Sequence, residues 1–123
     1  SDLDKKDVLL LGLSFKPDTD DIRESVSLKL LNLLSGQVKS LAAHDPIAIK
    51  NAKQAMTHNK NIHFVDNWKE SLLNADIIII ATNWIEYADL INMKDCIEGK
   101  VIFDIRSLLT EANISKADYF TVN

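Results

Sequence analysis

Directly after its first apolar run the chain reads Gly12-Leu13-Ser14-Phe15-Lys16-Pro17-Asp18-Thr19-Asp20-Asp21-Ile22-Arg23-Glu24-Ser25, which sets Lys16 and Arg23 on either side of three carboxylates. A lysine ammonium binds an anion as a point charge and an arginine guanidinium as a planar fork. Ligands of α/β proteins gather at loops between strand and helix, yet this loop lacks the Gly-x-Gly-x-x-Gly spacing that lets bare amides approach a pyrophosphate. An anion is therefore expected on side chains. Arg106, in Asp104-Ile105-Arg106, leaves a second predicted strand at the same end of the sheet, so Lys16 and Arg106 are candidates to share one phosphate. The competing reading pairs Lys16 with Asp18 or Asp20 and Arg106 with Asp104, and the residue types leave both open.

Asp18, Asp20 and Asp21 carry the oxygen donors that Mg²⁺ or Ca²⁺ takes, but Arg23 stands where an EF-hand loop needs its turn glycine. No metal is expected; the three carboxylates are expected to bond backbone amides and Arg23 and so shape the loop. Cys96 has only Lys94 nearby to lower its pKa, which points to a structural thiol rather than a nucleophile. His44, His58 and His63 lack metal-ligand spacing and are expected to be structural or solvent-facing. Trp68 and Trp84 read as packing residues, although Trp84 follows a strand end and is the better placed of the two to line a pocket.

The elements that would position these groups alternate between strand and helix. Residues 1–6 are polar and read as a frayed lead-in or linker, and 7–123 as one domain. Residues 8–11 form a continuous apolar run stopped by Gly12, as in a strand buried on both faces. Ser25 is the expected N-cap of a helix whose Leu28, Leu31 and Leu34 recur with helical spacing up to Gly36. Strands are expected at 38–43, closed by His44-Asp45-Pro46, and at 62–65, with helices at 47–56 and 68–73. Four consecutive isoleucines make 76–81 the strongest strand signal, since β-branched residues suit a doubly buried sheet. A brief helix at 87–91, a loop with Gly99, and strands at 101–104 and 119–122 complete the pattern. The expected fold is α/β, a Rossmann-like three-layer sandwich with a mostly parallel sheet. The loops at 15–23, 82–84 and 104–106 all leave carboxyl ends of strands, where they could converge.

Length and composition narrow the classes further. A chain of 123 residues with 46% hydrophobic and 26% charged residues suits one globular domain, and its net charge of −4 argues against a nucleic-acid surface. The longest apolar run, 77–81, is far too short for a bilayer span. One cysteine can form no internal disulfide, which favours a reducing, cytoplasmic setting.

Gly12-Leu13-Ser14-Phe15-Lys16, Thr19-Asp20-Asp21-Ile22-Arg23-Glu24-Ser25, Asp45-Pro46, Thr82-Asn83-Trp84 and Asp104-Ile105-Arg106 together resemble the C-terminal UDP-binding domain of the UDP-glucose/GDP-mannose dehydrogenases. The resemblance runs from about Asp7 to the end of the chain. It implies a four-electron oxidation of a sugar C6 alcohol to a carboxylate by two NAD⁺ in succession, in polysaccharide biosynthesis, with UDP-glucose the leading substrate. It further implies that NAD is bound mainly by an N-terminal domain, that the nucleophilic cysteine also lies outside this chain, and that the full enzyme is a homo-oligomer. By position, Phe15 and Lys16 match the substrate-contacting pair, Arg106 the substrate-binding arginine, and Arg23 the arginine that reaches toward NAD. No catalytic residue is implied here, so the chain alone is expected to be inactive. Val26 stands where many members have proline, and Ile105 where many UDP-glucose enzymes have glycine; the latter bears on the choice of sugar. UDP-N-acetylhexosamine or GDP-mannose enzymes are alternatives within the family. A receiver-like signalling module and an assembly domain without ligand contacts are alternatives outside it.

Overall fold

The Leu- and Ile-rich runs form the centre of a sheet. In the computed structural model, which describes residues 2–110 and 114–122, β1 (Asp7–Leu11) pairs in parallel with β2 (Ser40–His44) on one side and β4 (Ile77–Ile80) on the other. Ser1, where the expected lead-in begins, and Asn123, where the expected domain ends, lie outside the described residues. The sheet continues through β3 (Ile62–Phe64), β5 (Val101–Asp104) and β6 (Asp118–Thr121) in the order β3-β2-β1-β4-β5-β6. Every pairing is parallel. A receiver-like fold would set β3 between β1 and β4, so this order excludes it.

Alternate residues of the central strands face two separate cores, as the two-residue period of a strand requires. On one face Val8, Leu10, Leu41, Ala43 and Ile79 pack with Leu31 of α1 (Val26–Leu34) and Ala52 of α2 (Ile49–Ala55). On the other, Leu9, Leu11, Ile78, Ile80 and Ile102 pack with Trp68 of α3 (Trp68–Ser71), Tyr87, and Ile97 of α4 (Lys94–Ile97). The result is a three-layer α/β sandwich with Rossmann-like order. No helix among the described residues is long and apolar enough to cross a membrane.

Several boundaries differ from the expected ones for local reasons. Strand β2 begins at Ser40 rather than 38 because its ladder starts opposite Asp7, the first residue of β1. It includes His44, whose carbonyl accepts the Gly12 N–H at 2.8 Å. The expected helix at 68–73 divides into α3, capped by Asn67, and a 3₁₀ turn over Leu72–Asn74. The brief helix at 87–91 lies within a 3₁₀ segment, Ile85–Asn92, and α4 occupies part of the expected loop. Asp2–Lys5 form a 3₁₀ turn, after which the Lys6 carbonyl accepts Lys39 N–H at 2.9 Å.

Candidate functional site

The order of strands reverses between β1 and β4, and the loops leaving their carboxyl ends meet there. Gly12, the first residue after β1, has φ +100°, and a Cβ on it would run into Thr82 Cβ and lie 2.5 Å from Thr82 N. Only glycine lets the two loops cross this closely. Thr82 is fully buried, and its hydroxyl donates to the Ser14 carbonyl at 2.7 Å, which fixes the direction of the loop beyond the crossing. Ser25 works from the other end of the loop. As N-cap of α1 its Oγ accepts Ser27 N–H at 3.1 Å, and it donates to the Leu13 carbonyl at 2.8 Å.

Asp45, in the His44-Asp45-Pro46 turn after β2, gathers three loops. Its Oδ2 accepts Leu13 N–H at 2.7 Å, Ser14 N–H at 3.0 Å and Trp84 Nε1–H at 3.1 Å. Its Oδ1 accepts the N–H groups of Ile47 and Ala48, both at 2.9 Å. In the sequence Asp45 closes a strand and belongs to the Asp45-Pro46 motif of the resemblance, but no role is assigned to it there. The signal that could have marked it is an acidic residue beside a proline at a strand's carboxyl end, the position that faces the crevice in a parallel sheet.

Arg106 ties the remaining loop to this assembly. Its Nε donates to the Ala81 carbonyl at 3.0 Å and its Nη2 to the Phe15 carbonyl at 2.9 Å, across 91 positions of sequence. The pairing of Arg106 with Asp104 does not occur. Asp104 is buried and accepts Leu108 N–H at 3.1 Å, Leu109 N–H at 2.7 Å and the Tyr119 hydroxyl at 2.7 Å, which uses its lone pairs on the turn after β5. Lys16 is exposed and pairs with neither Asp18 nor Asp20; among the described residues its ammonium has no hydrogen-bond or ion-pair partner. Phe15, whose carbonyl Arg106 holds, is 43% exposed although apolar.

Of the three expected loop-shaping carboxylates, only that of Asp21 does this through its side chain. Asp21 accepts Arg23 N–H at 2.9 Å, Arg23 Nε–H at 3.0 Å and Arg23 Nη2–H at 2.8 Å, while its carbonyl accepts Phe15 N–H at 2.7 Å. Asp18 contributes a left-handed turn, φ +66°, and Asp20 a carbonyl that accepts Asn51 Nδ2–H at 3.0 Å. Phe15, Asp21, Arg23 and Glu24 line a cleft of ≈ 440 Å³. The Arg23 side chain is 86% exposed, its guanidinium held by Asp21 and turned to solvent.

The hydrogen bonds from Arg23, more than its charge, pull the Asp21 carboxyl from 3.8 down to about 2. A depressed carboxyl pKa stabilises the fold above the unfolded value, and that stabilisation is lost as pH falls through the folded one. The stabilisation from the Asp21 and Arg23 pair is therefore complete above pH 3.8 and is lost as pH falls through about 2. Carbon-detected NMR titration of the Asp21 carboxyl is expected to give a midpoint near 2, returning toward 3.8 in Arg23→Ala. A midpoint that stays low in the variant would show that Arg23 is not the cause.

The remaining candidates fall outside this cluster or support it from behind. His44 is buried with Nδ1 2.9 Å from the Tyr87 hydroxyl, and burial pushes its imidazole below the usual range. His63 is exposed, and His58 Nε2 lies 3.3 Å from Asn32 Oδ1. Trp68 packs edge-on against Tyr87, whereas Trp84 reaches the crevice through Asp45. Cys96 is half-buried in α4, before β5 and so toward the amino ends of the strands. No group of three or more His, Cys, Asp or Glu that could hold a metal occurs among the described residues.

A parallel sheet in the order β3-β2-β1-β4-β5-β6, with polar loops crossing at its reversal, defines the Rossmann-like class of α/β domain. Within that class the sequence matches the UDP-glucose/GDP-mannose dehydrogenase family, UDP binding domain, over residues 9–111, and the chain belongs to this family. It is 32% identical over 120 residues to a UDP-glucose 6-dehydrogenase of Rickettsia felis, covering 96% of this chain and 27% of that protein. It is 36% identical over 109 residues to the UDP-glucose 6-dehydrogenase AglM of Haloferax volcanii, covering 89% of this chain and 25% of the relative. The solved UDP-glucose dehydrogenase of Pyrobaculum islandicum superposes with a TM-score of 0.77 at 30% identity, over 96% of this chain and 25% of its own. The chain thus spans about a quarter of the length of these relatives.

Proposed function

We propose that this chain is the nucleotide-sugar-binding lobe of a UDP-glucose 6-dehydrogenase that oxidises UDP-glucose to UDP-glucuronate with two NAD⁺. The observation that carries this reading is the grip of Arg106 on the Phe15 carbonyl, 2.9 Å long, which brings a guanidinium from the loop after β5 beside the Lys16 loop. Arg106 donates from Nε and Nη2 to the protein, so the outer edge of its fork remains for a ligand oxygen. Lys16 supplies a second, mobile charge to the same diphosphate, and Phe15 an apolar surface for the nucleotide or the sugar. Arg23, by its match to the family's pattern, is the residue that would reach toward NAD. It suits that cofactor only as a contact at a domain boundary, since it is a single exposed cation and the loop has no glycine-rich amide cradle. NAD⁺, held mainly by the rest of the enzyme, would supply the hydride acceptor. The residues of this chain hold and orient the substrate's diphosphate and carry no proton or hydride.

Heteronuclear NMR titration of the 123-residue chain with UDP, UDP-glucose and AMP tests the assignment. UDP is expected to bind weakly and in preference to AMP, with shifts centred on Phe15, Lys16 and Arg106. Charge-assisted hydrogen bonds contribute about 1.5–3 kcal/mol, so Lys16→Ala is expected to weaken UDP binding roughly ten- to a hundredfold without loss of fold. Arg23→Ala is expected to leave UDP affinity nearly unchanged. Equal binding of UDP and AMP, or shifts confined to distant residues, would refute the reading.

A further inference from the structure

Asp45 carries a charge that no cation answers. It is 2% exposed, and none of the ion pairs among the described residues includes it. Five N–H groups converge on it instead: Leu13, Ser14 and Trp84 Nε1 on one oxygen, Ile47 and Ala48 on the other. The first two are amides of the loop directly after β1, at the reversal of strand order. In a dinucleotide fold that is where backbone N–H groups meet a phosphate.

We propose that Asp45 is the resident anion of this crevice. Its carboxylate takes the place of a ligand phosphate on the Leu13 and Ser14 amides, closes them to dinucleotides and free phosphate, and leaves ligand anions to Lys16 and Arg106. That Lys16 and Arg106 receive ligand anions rests on the nucleotide reading above; the hold of Asp45 on the Leu13 and Ser14 amides does not. An ionised carboxylate only accepts hydrogen bonds, with lone pairs for about four donors and room to share one. Asparagine has the same shape, but its NH₂ would face N–H donors whichever way it turned. The site therefore demands acceptor capacity and negative charge as well as a side chain of the right size. Removing the carboxylate leaves five converging donors, a site ready for a small external oxyanion.

The test compares wild type, Asp45→Asn and Asp45→Gly by thermal unfolding and by amide NMR, in inorganic phosphate, formate, and chloride at matched ionic strength. Asp45→Asn is expected to lower Tm by roughly 10 °C, because a buried network loses acceptors it cannot replace. In Asp45→Gly, formate is expected to raise Tm saturably and to shift the amides of Leu13, Ser14, Ile47 and Ala48 and the Trp84 indole, where chloride does neither. In wild type the same five signals are expected to stay unmoved by phosphate. Three results would each overturn the proposal: Asp45→Asn melting with wild type, a saturable phosphate shift in wild type that includes Ile47 and Ala48 together with Leu13 and Ser14, or formate acting on Asp45→Gly no differently from chloride. UDP titration of wild type reports on Phe15, Lys16 and Arg106, so failure of the nucleotide reading is recognised separately from failure of the resident anion.

Discussion

Gly12→Ala is expected to lose about 3–5 kcal/mol of stability, a large share of the roughly 5–15 kcal/mol that holds a domain of this size folded. Two costs combine. At φ +100° an L side chain is strained by the backbone alone, and its Cβ would lie 2.5 Å from the Thr82 nitrogen, which cannot rotate away. Relief requires the β1 and β4 loops to part, and with them the bond from the Thr82 hydroxyl to the Ser14 carbonyl. Gly36→Ala separates the two costs. Gly36 has φ +81° but nothing within 4 Å of the added Cβ, so it is expected to lose only about 1–2 kcal/mol. Urea unfolding of both variants measures the difference; equal losses would show that the close crossing of the two loops is not what requires glycine at position 12.

Arg106→Ala is expected to weaken UDP binding by about a hundredfold, more than Lys16→Ala, because two consequences arrive together. The ligand loses a charge-assisted contact, and the loop loses the donor that holds the Phe15 carbonyl, 2.9 Å away, against β5. Arg106→Lys separates them. A lysine restores the charge, but one ammonium on a flexible stem cannot serve the Ala81 and Phe15 carbonyls and a phosphate as the planar fork does. It is expected to recover less than half of the lost binding free energy. Calorimetric titration with UDP measures all three proteins. A lysine variant equal to wild type would mean that charge alone matters and that the fixed fork does not.

Much of the fold is legible in the sequence because its signals are local. The four isoleucines of β4, the apolar run of β1 and the Ser25 cap each satisfy rules that operate within a few residues. The alternation of such segments then limits the fold to a parallel sheet between helices. Element ends are less legible, as with β2, whose first residue is set by where β1 begins on the neighbouring strand.

The site divides along the same line. Lys16, Arg23 and Arg106 are legible as candidate anion holders from their charge and their place in loops that follow strands, Phe15 as an apolar neighbour of Lys16, and Asp21 lies two residues from the Arg23 it holds. Their partners follow from how the strands assemble. Arg106 turns to the Phe15 and Ala81 carbonyls rather than to Asp104, two residues away, because Asp104 is buried and already satisfied by Leu108, Leu109 and Tyr119. Asp45 becomes the meeting point of three loops because the sheet order places β2 beside β1 and β1 beside β4. Neighbours along the chain are set by the sequence, but a hydrogen bond across 32 or 91 positions exists only once the order of strands has put donor and acceptor at the same end of the sheet.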